Sequence, residues 1–294
     1  MENETVKADS GREYEVGLIQ SDYPMGYAAG KALTVPIYDE RYINVLADDI
    51  KNRPANGFDS IIMCTGERRT GKTTVTSQTA RRIDAEFPVG HMTFRISDFN
   101  KVLNDNPYAD PENGIWPQDV LDEAGFDLFS QNWMERMQRN MVKKFEVIGL
   151  KKQIVWLVLP HRDFLNKKLR EGMAQFWLNT EVRHGKRGLV EVRRGVPNKW
   201  QLDRYWAPHA AFTFDDMDTE PWWDEYLVKK RAFIDEVAAD TDDAPTGPEK
   251  RNYRKEWATM IYQTTNKSHA AIAKEIGVPP GTINRDLQGV KKRA

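Results

Sequence analysis

Along the middle of the chain, apolar residues occur in two distinct patterns. Short continuous apolar runs, typical of strands buried on both faces, are followed by stretches with apolar residues at helical spacing. The predicted strands cover residues 60–65, 92–96 and 154–159, and a shorter one ends at Leu121. The predicted helices cover residues 42–51, 73–86, 133–148 and 163–179. Strands that alternate with helices predict an α/β domain whose mostly parallel sheet is covered on both faces.

The segments on either side of this region have other patterns. Residues 1–35 are polar, and we assign no helix or strand to them from their pattern. Residues 181–196 favour a β-hairpin that turns at 185–188, and residues 225–237 have helical spacing.

Composition divides the chain into four parts. A polar extension over residues 1–35 precedes the α/β domain, which covers residues 36–237. Residues 238–248 are acidic, small and proline-containing, which is typical of a linker. A C-terminal domain follows over residues 249–294.

The strand at 60–65 leads into a glycine-rich segment, residues 66–73, which we call the glycine loop. It matches the phosphate-binding pattern G-x-x-x-x-G-K-[ST], and a predicted helix follows it. Its glycines let backbone N–H groups point inward at phosphate oxygens, Lys72 supplies a cation, and Thr73 offers a hydroxyl to Mg²⁺. The pattern predicts ATP and Mg²⁺ binding rather than a turn that happens to carry a lysine. The predicted nucleotide contacts are Gly66, Glu67, Arg68, Arg69, Thr70, Gly71, Lys72, Thr73 and Thr74.

Two adjacent acids, Asp122 and Glu123, follow the strand that ends at Leu121; we call them the carboxylate pair. Asp122 is predicted to hold Mg²⁺ through water, together with Thr73, and Glu123 to polarise the attacking water. The alternative is a solvated acidic turn, because polar residues interrupt the preceding strand. A water-activating carboxylate favours a hydrolase over a small-molecule kinase.

Three further candidates follow the central strand at 154–159. His161 is predicted to sense the terminal phosphate, with a surface histidine that caps the next helix as the alternative. Arg162 and Arg170 are candidates for an arginine finger that reaches a neighbouring subunit, and a surface ion pair is the alternative. The predicted catalytic groups are Lys72, Glu123, His161 and Arg170.

Three segments together resemble a known family. They are residues 66–74, the pattern L-D-E-A-G-F-D-L-F-S-Q-N-W at 121–133, and V-L-P followed by L-N-K-K-L-R within 158–170. Over about residues 58–175 the chain is similar to Zot-like P-loop ATPases of phages, plasmids and archaeal viruses, within the broader HerA–FtsK group. The resemblance implies a RecA-like core, ATP hydrolysis, ring or filament assembly, and work on DNA or its export through an envelope.

Composition narrows the cellular setting. The single cysteine, Cys64, lies on the strand before the glycine loop and is expected to be buried and inert. A chain with no intramolecular disulfide fits a reducing compartment. No apolar run approaches 18 residues, which argues against a membrane segment and an envelope-anchored role. The expected location is the cytoplasm of a bacterial or archaeal host cell.

The last 46 residues carry ten Lys or Arg against four Asp or Glu, although the formal net charge of the whole chain is only −1. Within them, residues 271–287 resemble a helix-turn-helix, with small Ala273 at the helix crossing and Gly277 in the turn. Residues 251–263 would form the supporting first helix. The shared core is predicted to contain Ile272, Ile276, Val278, Ile283 and Leu287.

The second of these helices would present polar side chains to duplex DNA. Thr282, Asn284 and Arg285 are predicted to read base edges, and Lys291 and Lys292 to neutralise phosphates. The alternative is an all-α three-helix bundle that binds another protein.

Together these features predict an ATP-hydrolysing protein that packages, transfers or translocates phage or mobile-element DNA as a homo-oligomer. Other phage or mobile-element proteins are candidate partners. The first alternative is an ATP-switched DNA-binding regulator or partition factor with little turnover. A second is a protein-remodelling ATPase. No nuclease domain fits the remaining length, which argues against a full terminase large subunit.

Overall fold

A computed structural model provides the fold. It describes residues 3–19, 27–28, 31–32, 35–123, 142–146, 151–165, 167–183, 186–197, 204–242, 255, 258–259, 262, 268–276, 279–288 and 290. The chain divides into two compact units, Met1–Lys230 and Arg231–Ala294.

Twelve strands and six helices have defined bounds in the described part of the chain. The strands are β1 Asn3–Lys7, β2 Glu13–Ile19, β3 Tyr27–Ala28, β4 Lys31–Ala32, β5 Ile37–Tyr38, β6 Ser60–Gly66, β7 Met92–Thr93, β8 Gln118–Leu121, β9 Ile154–Leu159, β10 Phe176–Arg183, β11 Lys186–Pro197 and β12 Arg204–Thr213. The helices are α1 Tyr42–Ala55, α2 Lys72–Ile83, α3 Ile96–Val102, α4 Pro221–Asp242, α5 His269–Ile276 and α6 Pro280–Asp286.

Ten of these strands form one large sheet in the order β1-β2-β5-β12-β11-β10-β6-β9-β8-β7, while β3 and β4 pair separately. The five strands from β10 to β7 are all parallel. Strands β6 and β9 lie at the centre of this parallel block, and β9 is buried along its whole length. The predicted strands at 60–65 and 154–159 and the one ending at Leu121 are therefore confirmed, as is the α/β class with a mostly parallel sheet.

Both faces of the parallel block are covered. Helices α1 and α2 contact β6, and α2 also contacts β9. On the other face, Met63 and Leu157 pack with Phe99, Phe145 and Leu169. The helices predicted from residues 42 and 73 onward are confirmed, although α1 extends to Ala55 and α2 ends at Ile83. Of the helix predicted over 133–148, only residues 142–146 lie within the described part, and they are helical.

Residues 1–35, to which the sequence pattern assigns no element, contribute strands to the main sheet. Strands β1 and β2 form an antiparallel hairpin, and β2 joins the main sheet through β5. Charged Glu13 and Glu15 alternate with Tyr14 and fully buried Val16, which is the period-two pattern of a half-buried strand.

The prediction of one continuous helix over residues 163–179 is wrong. The segment contains a 3₁₀ turn at Arg162–Phe164 and a π-helical turn at Lys168–Met173, and β10 begins at Phe176. Strand β10 pairs with β6 on one side and β11 on the other, so long-range hydrogen bonds outweigh the local helical spacing.

Two neighbouring predictions change in detail. The hairpin predicted over 181–196 is present as β10 and β11, but Arg183 pairs with Lys186, so residues 186–188 of the predicted turn belong to β11. The strand predicted over 92–96 stops at Thr93. Helix α3 begins at Ile96, because Ile96 and Phe99 are buried three residues apart, as on one helical face.

Helix α4 extends the helix predicted at 225–237 in both directions. It ends at Asp242, so residues 238–242 of the predicted linker are helical. Ala238 and Ala239 are good helix formers, and the next strong helix breaker is Pro245. None of the helices within the described residues is long and apolar enough to cross a membrane.

In the second unit, α5 and α6 pack around a small apolar cluster. Its buried members are Ala258, Ile272, Ala273, Ile283 and Leu287. Three predicted core residues and the predicted small residue at the helix crossing are therefore buried. Residues 255, 258–259 and 262, within the predicted first helix, are helical, whereas Gly277 and Val278 lie outside the described residues.

Candidate functional site

The glycine loop joins the carboxyl end of β6 to the first turn of α2. Gly66 and Gly71 have φ values of +147° and +94°, which side chains rarely adopt. A Cβ at Gly66 would lie 2.2 Å from Oγ1 of Thr180, and a Cβ at Gly71 would lie 2.6 Å from the Phe214 ring. Both positions therefore require glycine for conformational and steric reasons.

Hydroxyl contacts fix the rest of the loop. Thr70 is buried, and its hydroxyl lies 2.6 Å from the Thr180 hydroxyl and donates to the Glu67 carbonyl at 2.9 Å. The Glu67, Arg68 and Arg69 side chains are exposed at the rim, and Thr74 is buried in the first turn of α2. The amino end of a helix carries free N–H groups and a positive dipole, which favour bound anions.

Lys72 folds back into the loop. Its Nζ donates to the carbonyls of Gly66 at 2.9 Å and Glu67 at 2.6 Å, and burial lowers its pKa. A phosphate oxygen would compete with these two carbonyls for the same ammonium group. The loop thus holds its cation at the position where an anionic ligand would need it.

Cys64 lies on β6, directly beneath the loop. Its side chain is fully buried, and its thiol donates to the Lys72 carbonyl at 3.5 Å. Burial raises the pKa of the thiol to about 12, so the group stays protonated. The predicted burial and low reactivity of this cysteine agree with its surroundings.

The structure brings together Thr73 and Asp122, the two predicted metal-binding residues. Strand β9 separates β6 from β8, so these side chains approach each other across the carboxyl edge of the sheet. The Thr73 hydroxyl donates to Oδ1 of Asp122 at 3.1 Å, and the Asp122 N–H donates to the Thr93 carbonyl at 2.7 Å. Hydroxyl and carboxylate oxygens are hard ligands of the kind that Mg²⁺ prefers.

No group of three or more His, Cys, Asp or Glu side chains that could bind a metal occurs among the described residues.

Glu123, the second member of the carboxylate pair, has φ +54°. A left-handed conformation costs a residue with a side chain about 1–2 kcal/mol, and such strain is concentrated at functional sites. Its side chain is 48% exposed, whereas that of Asp122 is fully buried. One carboxylate is therefore enclosed and the other is open to water.

Two residues that sequence reasoning missed, Tyr226 and Lys230, contact the carboxylate pair from α4. The Tyr226 hydroxyl donates to Oδ2 of Asp122. Lys230 Nζ lies 3.1 Å from Oδ2 of Asp122 and 3.1 Å from Oε1 of Glu123. Their spacing of four residues places both on one helical face, but no sequence motif links α4 to this site.

The surroundings of Tyr226 and Lys230 on α4 raise the pKa of both side chains. Tyr226 is buried against Trp223, with ring centroids 4.9 Å apart, and burial raises its pKa well above the usual value. Burial alone would lower the pKa of Lys230, but the two carboxylates outweigh this effect and raise it. Tyr226 therefore keeps its proton, and Lys230 keeps its charge.

His161 follows β9 on the same edge of the sheet. The preceding residue, Pro160, accepts a hydrogen bond from Gly66 N–H at 3.4 Å, so His161 lies one residue from a loop contact. Its side chain is 64% exposed, and Nδ1 accepts a hydrogen bond from Asp163 N–H at 3.3 Å. This contact matches the capping alternative, and phosphate sensing by His161 remains a prediction.

Both candidate finger arginines have partners within their own chain. The Arg162 guanidinium lies over the Trp177 ring, 4.9 Å from its centroid. Arg170 forms an ion pair with Asp163 and lies 3.3 Å from a carboxylate oxygen of Glu171. An arginine finger at either position must therefore exchange these contacts for a phosphate on the neighbouring subunit.

We expect an Arg170→Ala protein mixed with a Lys72→Ala protein to recover part of the ATP turnover that each lacks alone. A mixed interface can hold one intact glycine loop and one intact arginine. The measurement is ATP turnover against mixing ratio, repeated with Arg162→Ala. Lys168→Ala, a nearby change to a residue 62% exposed, is the control and should be active alone. Absence of recovery in both mixtures would contradict a shared site.

The predicted DNA-reading residues lie on α6. Asn284 and Arg285 are exposed and Thr282 is half-buried. The Asn284 side-chain oxygen lies 2.8 Å from Nδ1 of His269 on α5, so this contact limits the freedom of the amide. Lys291 and Lys292 lie outside the described residues.

At the carboxyl edge of β6, β9 and β8, the described residues combine a loop that only glycine permits, a lysine, and a threonine bonded to a buried aspartate. This set of groups fits a nucleoside triphosphate with Mg²⁺. Comparison of the chain with protein-family models gives no match, and comparison with curated proteins gives no significant match.

Proposed function

We propose that this protein is an ATPase with a RecA-like core that uses ATP hydrolysis to handle DNA. The observation that carries the proposal is the 3.1 Å hydrogen bond between Thr73 and Asp122. It unites the glycine loop with a buried carboxylate about fifty residues away, and Glu123 follows next in the chain. A phosphate loop, a metal-binding acid and a water-activating acid are the three parts that hydrolysis requires.

Each side chain has a distinct task in this proposal. The loop N–H groups and Lys72 bind the phosphates, and Thr73 and Asp122 hold Mg²⁺. When bound, Mg²⁺ would neutralise the charge that develops on the phosphate oxygens. Glu123, the open carboxylate, accepts a proton from water at its Oε atoms. Tyr226 donates a hydrogen bond to Asp122 and so holds that carboxylate in a fixed orientation.

The second unit supports DNA as the substrate. Helix α6 presents Asn284 and Arg285 to solvent beside a packed apolar cluster, and the C-terminal segment is strongly basic. An exposed guanidinium can bond a guanine edge in the major groove. Packaging, transfer or translocation of phage or mobile-element DNA by a ring or filament is the activity that we infer.

A second candidate is an ATP-switched DNA-binding regulator or partition factor. Lys230 favours it, because its ammonium group is bonded to both members of the carboxylate pair. Turnover must first break that contact, which is compatible with a protein that binds ATP and hydrolyses it slowly.

ATP turnover with and without duplex DNA tests the proposal. We expect duplex DNA to raise turnover by the full chain, with assembly followed by light scattering. Arg285→Ala should weaken binding to the preferred duplex by about 1–3 kcal/mol, while Lys291→Ala should weaken binding to every duplex and reduce its salt dependence. Lys274→Ala, an exposed change on α5, is the matched control.

Slow turnover that DNA does not change, together with ATP-dependent binding to one duplex, would favour the switch. Equal DNA affinity of Arg285→Ala, Lys291→Ala and the unaltered chain would contradict the role of α6. It would return the second unit to the protein-binding alternative.

A further inference from the structure

Lys230 has a position that hydrolysis alone does not require. Its ammonium group lies equidistant, at 3.1 Å, from one oxygen of Asp122 and one of Glu123. We propose that Lys230 is a positioning residue that acts as the resident counter-ion of the carboxylate pair and must withdraw when a divalent metal binds. This inference rests on the proposed function, because it assigns the carboxylate pair to metal binding.

The burial of Asp122 explains why a counter-ion is needed. Its carboxylate is fully buried, and a buried charge without partners is strongly unfavourable. It receives hydrogen bonds from Thr73, Tyr226 and Lys230, but only Lys230 among these three carries a positive charge. Lys230 thus supplies the charge that a metal ion would otherwise supply.

A divalent ion and this ammonium group compete for the same carboxylates. An ammonium group within bonding distance of Asp122 lies within a few ångströms of any metal on the Thr73 side. At such distances like charges repel strongly even at the effective dielectric of a protein surface. Both cations cannot remain in full contact with Asp122.

Lys230 has a route of withdrawal. Its side chain is 21% exposed, and Nζ lies 5.7 Å from the centroid of the Tyr226 ring, a distance typical of a cation–π contact. The ammonium group can therefore leave the two carboxylates on its solvent-exposed side while the ring stays close to the lysine side chain. Its withdrawal also removes the partner of Oε1 of Glu123, so that this oxygen can accept a proton from water.

The consequence is that the metal should bind weakly until phosphates add further ligands. Without nucleotide, a metal ion that displaces Lys230 gains only Thr73 and Asp122 as ligands from the protein. With nucleotide, phosphate oxygens complete its coordination and offset the loss of the lysine contact. Lys230 would in this way make metal binding depend on nucleotide binding.

The test is Mn²⁺ binding by the full chain without nucleotide, followed by the electron paramagnetic resonance of free Mn²⁺. We expect Lys230→Met to bind Mn²⁺ about tenfold more tightly than the unaltered chain, and the difference to shrink when a non-hydrolysable ATP analogue is present. Lys230→Arg keeps the charge and should behave like the unaltered chain. Arg231→Met removes an exposed charge from the next position of α4 and should change nothing.

Lys230→Gln, with a shorter and polar side chain, gives the same comparison where Lys230→Met does not fold. Equal or weaker Mn²⁺ binding by a folded neutral variant would overturn the proposal, because removal of a counter-ion that competes with the metal must raise metal affinity. Normal ATP binding by Lys72→Ala would instead contradict the proposed function. The two failures are thus distinguished by different variants and different ligands.

Discussion

Glu123→Gln should lower ATP turnover by at least about 100-fold while ATP binding stays close to that of the unaltered chain. Glutamine has the length of glutamate and can still accept the hydrogen bond from Lys230, but it cannot take a proton from water. Positioned acid–base groups contribute about 10²–10⁴ in rate. Thr73 and Asp122, which are proposed to hold the metal, are unchanged by this substitution.

The measurements are the rate of phosphate release and the affinity for ATP by calorimetry, on the same preparation. Glu112→Gln is the control, since Glu112 is an exposed acid in the 3₁₀ turn Pro111–Asn113. Normal turnover by Glu123→Gln would show that the water-activating carboxylate has been assigned to the wrong residue.

Lys72→Ala should weaken ATP binding by at least about 100-fold with little change in thermal stability. Hydrogen bonds from a charged donor contribute about 1.5–3 kcal/mol each, and this ammonium group can make more than one to the phosphates. Its partners within the protein are two carbonyls at the half-exposed mouth of the loop, which water can satisfy after the substitution. The fold should therefore tolerate its loss.

ATP affinity and the thermal midpoint are measured side by side for this variant. Lys101→Ala provides the comparison, because Lys101 is 78% exposed and pairs with Asp98 at the surface of α3. Retention of tight ATP binding by Lys72→Ala would contradict the proposal that the glycine loop binds the nucleotide.

The parts of the candidate site that could be predicted are those whose chemical groups lie close together in the sequence. The glycine loop needs fixed residues at fixed spacing, and β6 and β9 are continuous apolar runs because both faces of each are buried. A short range of sequence therefore contains all the information that determines them. Asp122 and Glu123 could be proposed for the same reason, since they directly follow a strand.

Strand β8 shows why polar residues were misleading. Gln118 and Asp119 suggest an interrupted strand, yet both are buried. Asp119 lies 2.7 Å from Nδ1 of His91 and accepts a hydrogen bond from Asn106, while Gln118 donates to the Ala80 carbonyl. Polar groups are tolerated in a core when their partners are present, and those partners are distant in sequence.

The remaining differences also arise from long-range partners. The first half of β10 lies within the helix predicted over 163–179, because its neighbours β6 and β11 cannot be identified from local spacing. Tyr226 and Lys230 contact Asp122 from more than 100 residues away, and α4 was predicted only as a helix. A side chain that enters a site from a remote element leaves no local signal in the sequence.

The burial of the lone thiol makes the chain suitable for site-specific spectroscopy. Because Cys64 is fully buried and protonated beneath Lys72, maleimide dyes would react first with any cysteine introduced at the surface. A fluorophore or spin label can thus be attached at one chosen residue without first removing the native thiol. Modification of Cys64 itself would require the junction of β6 and α2 to open, so the rate of its labelling would measure local opening of the glycine loop.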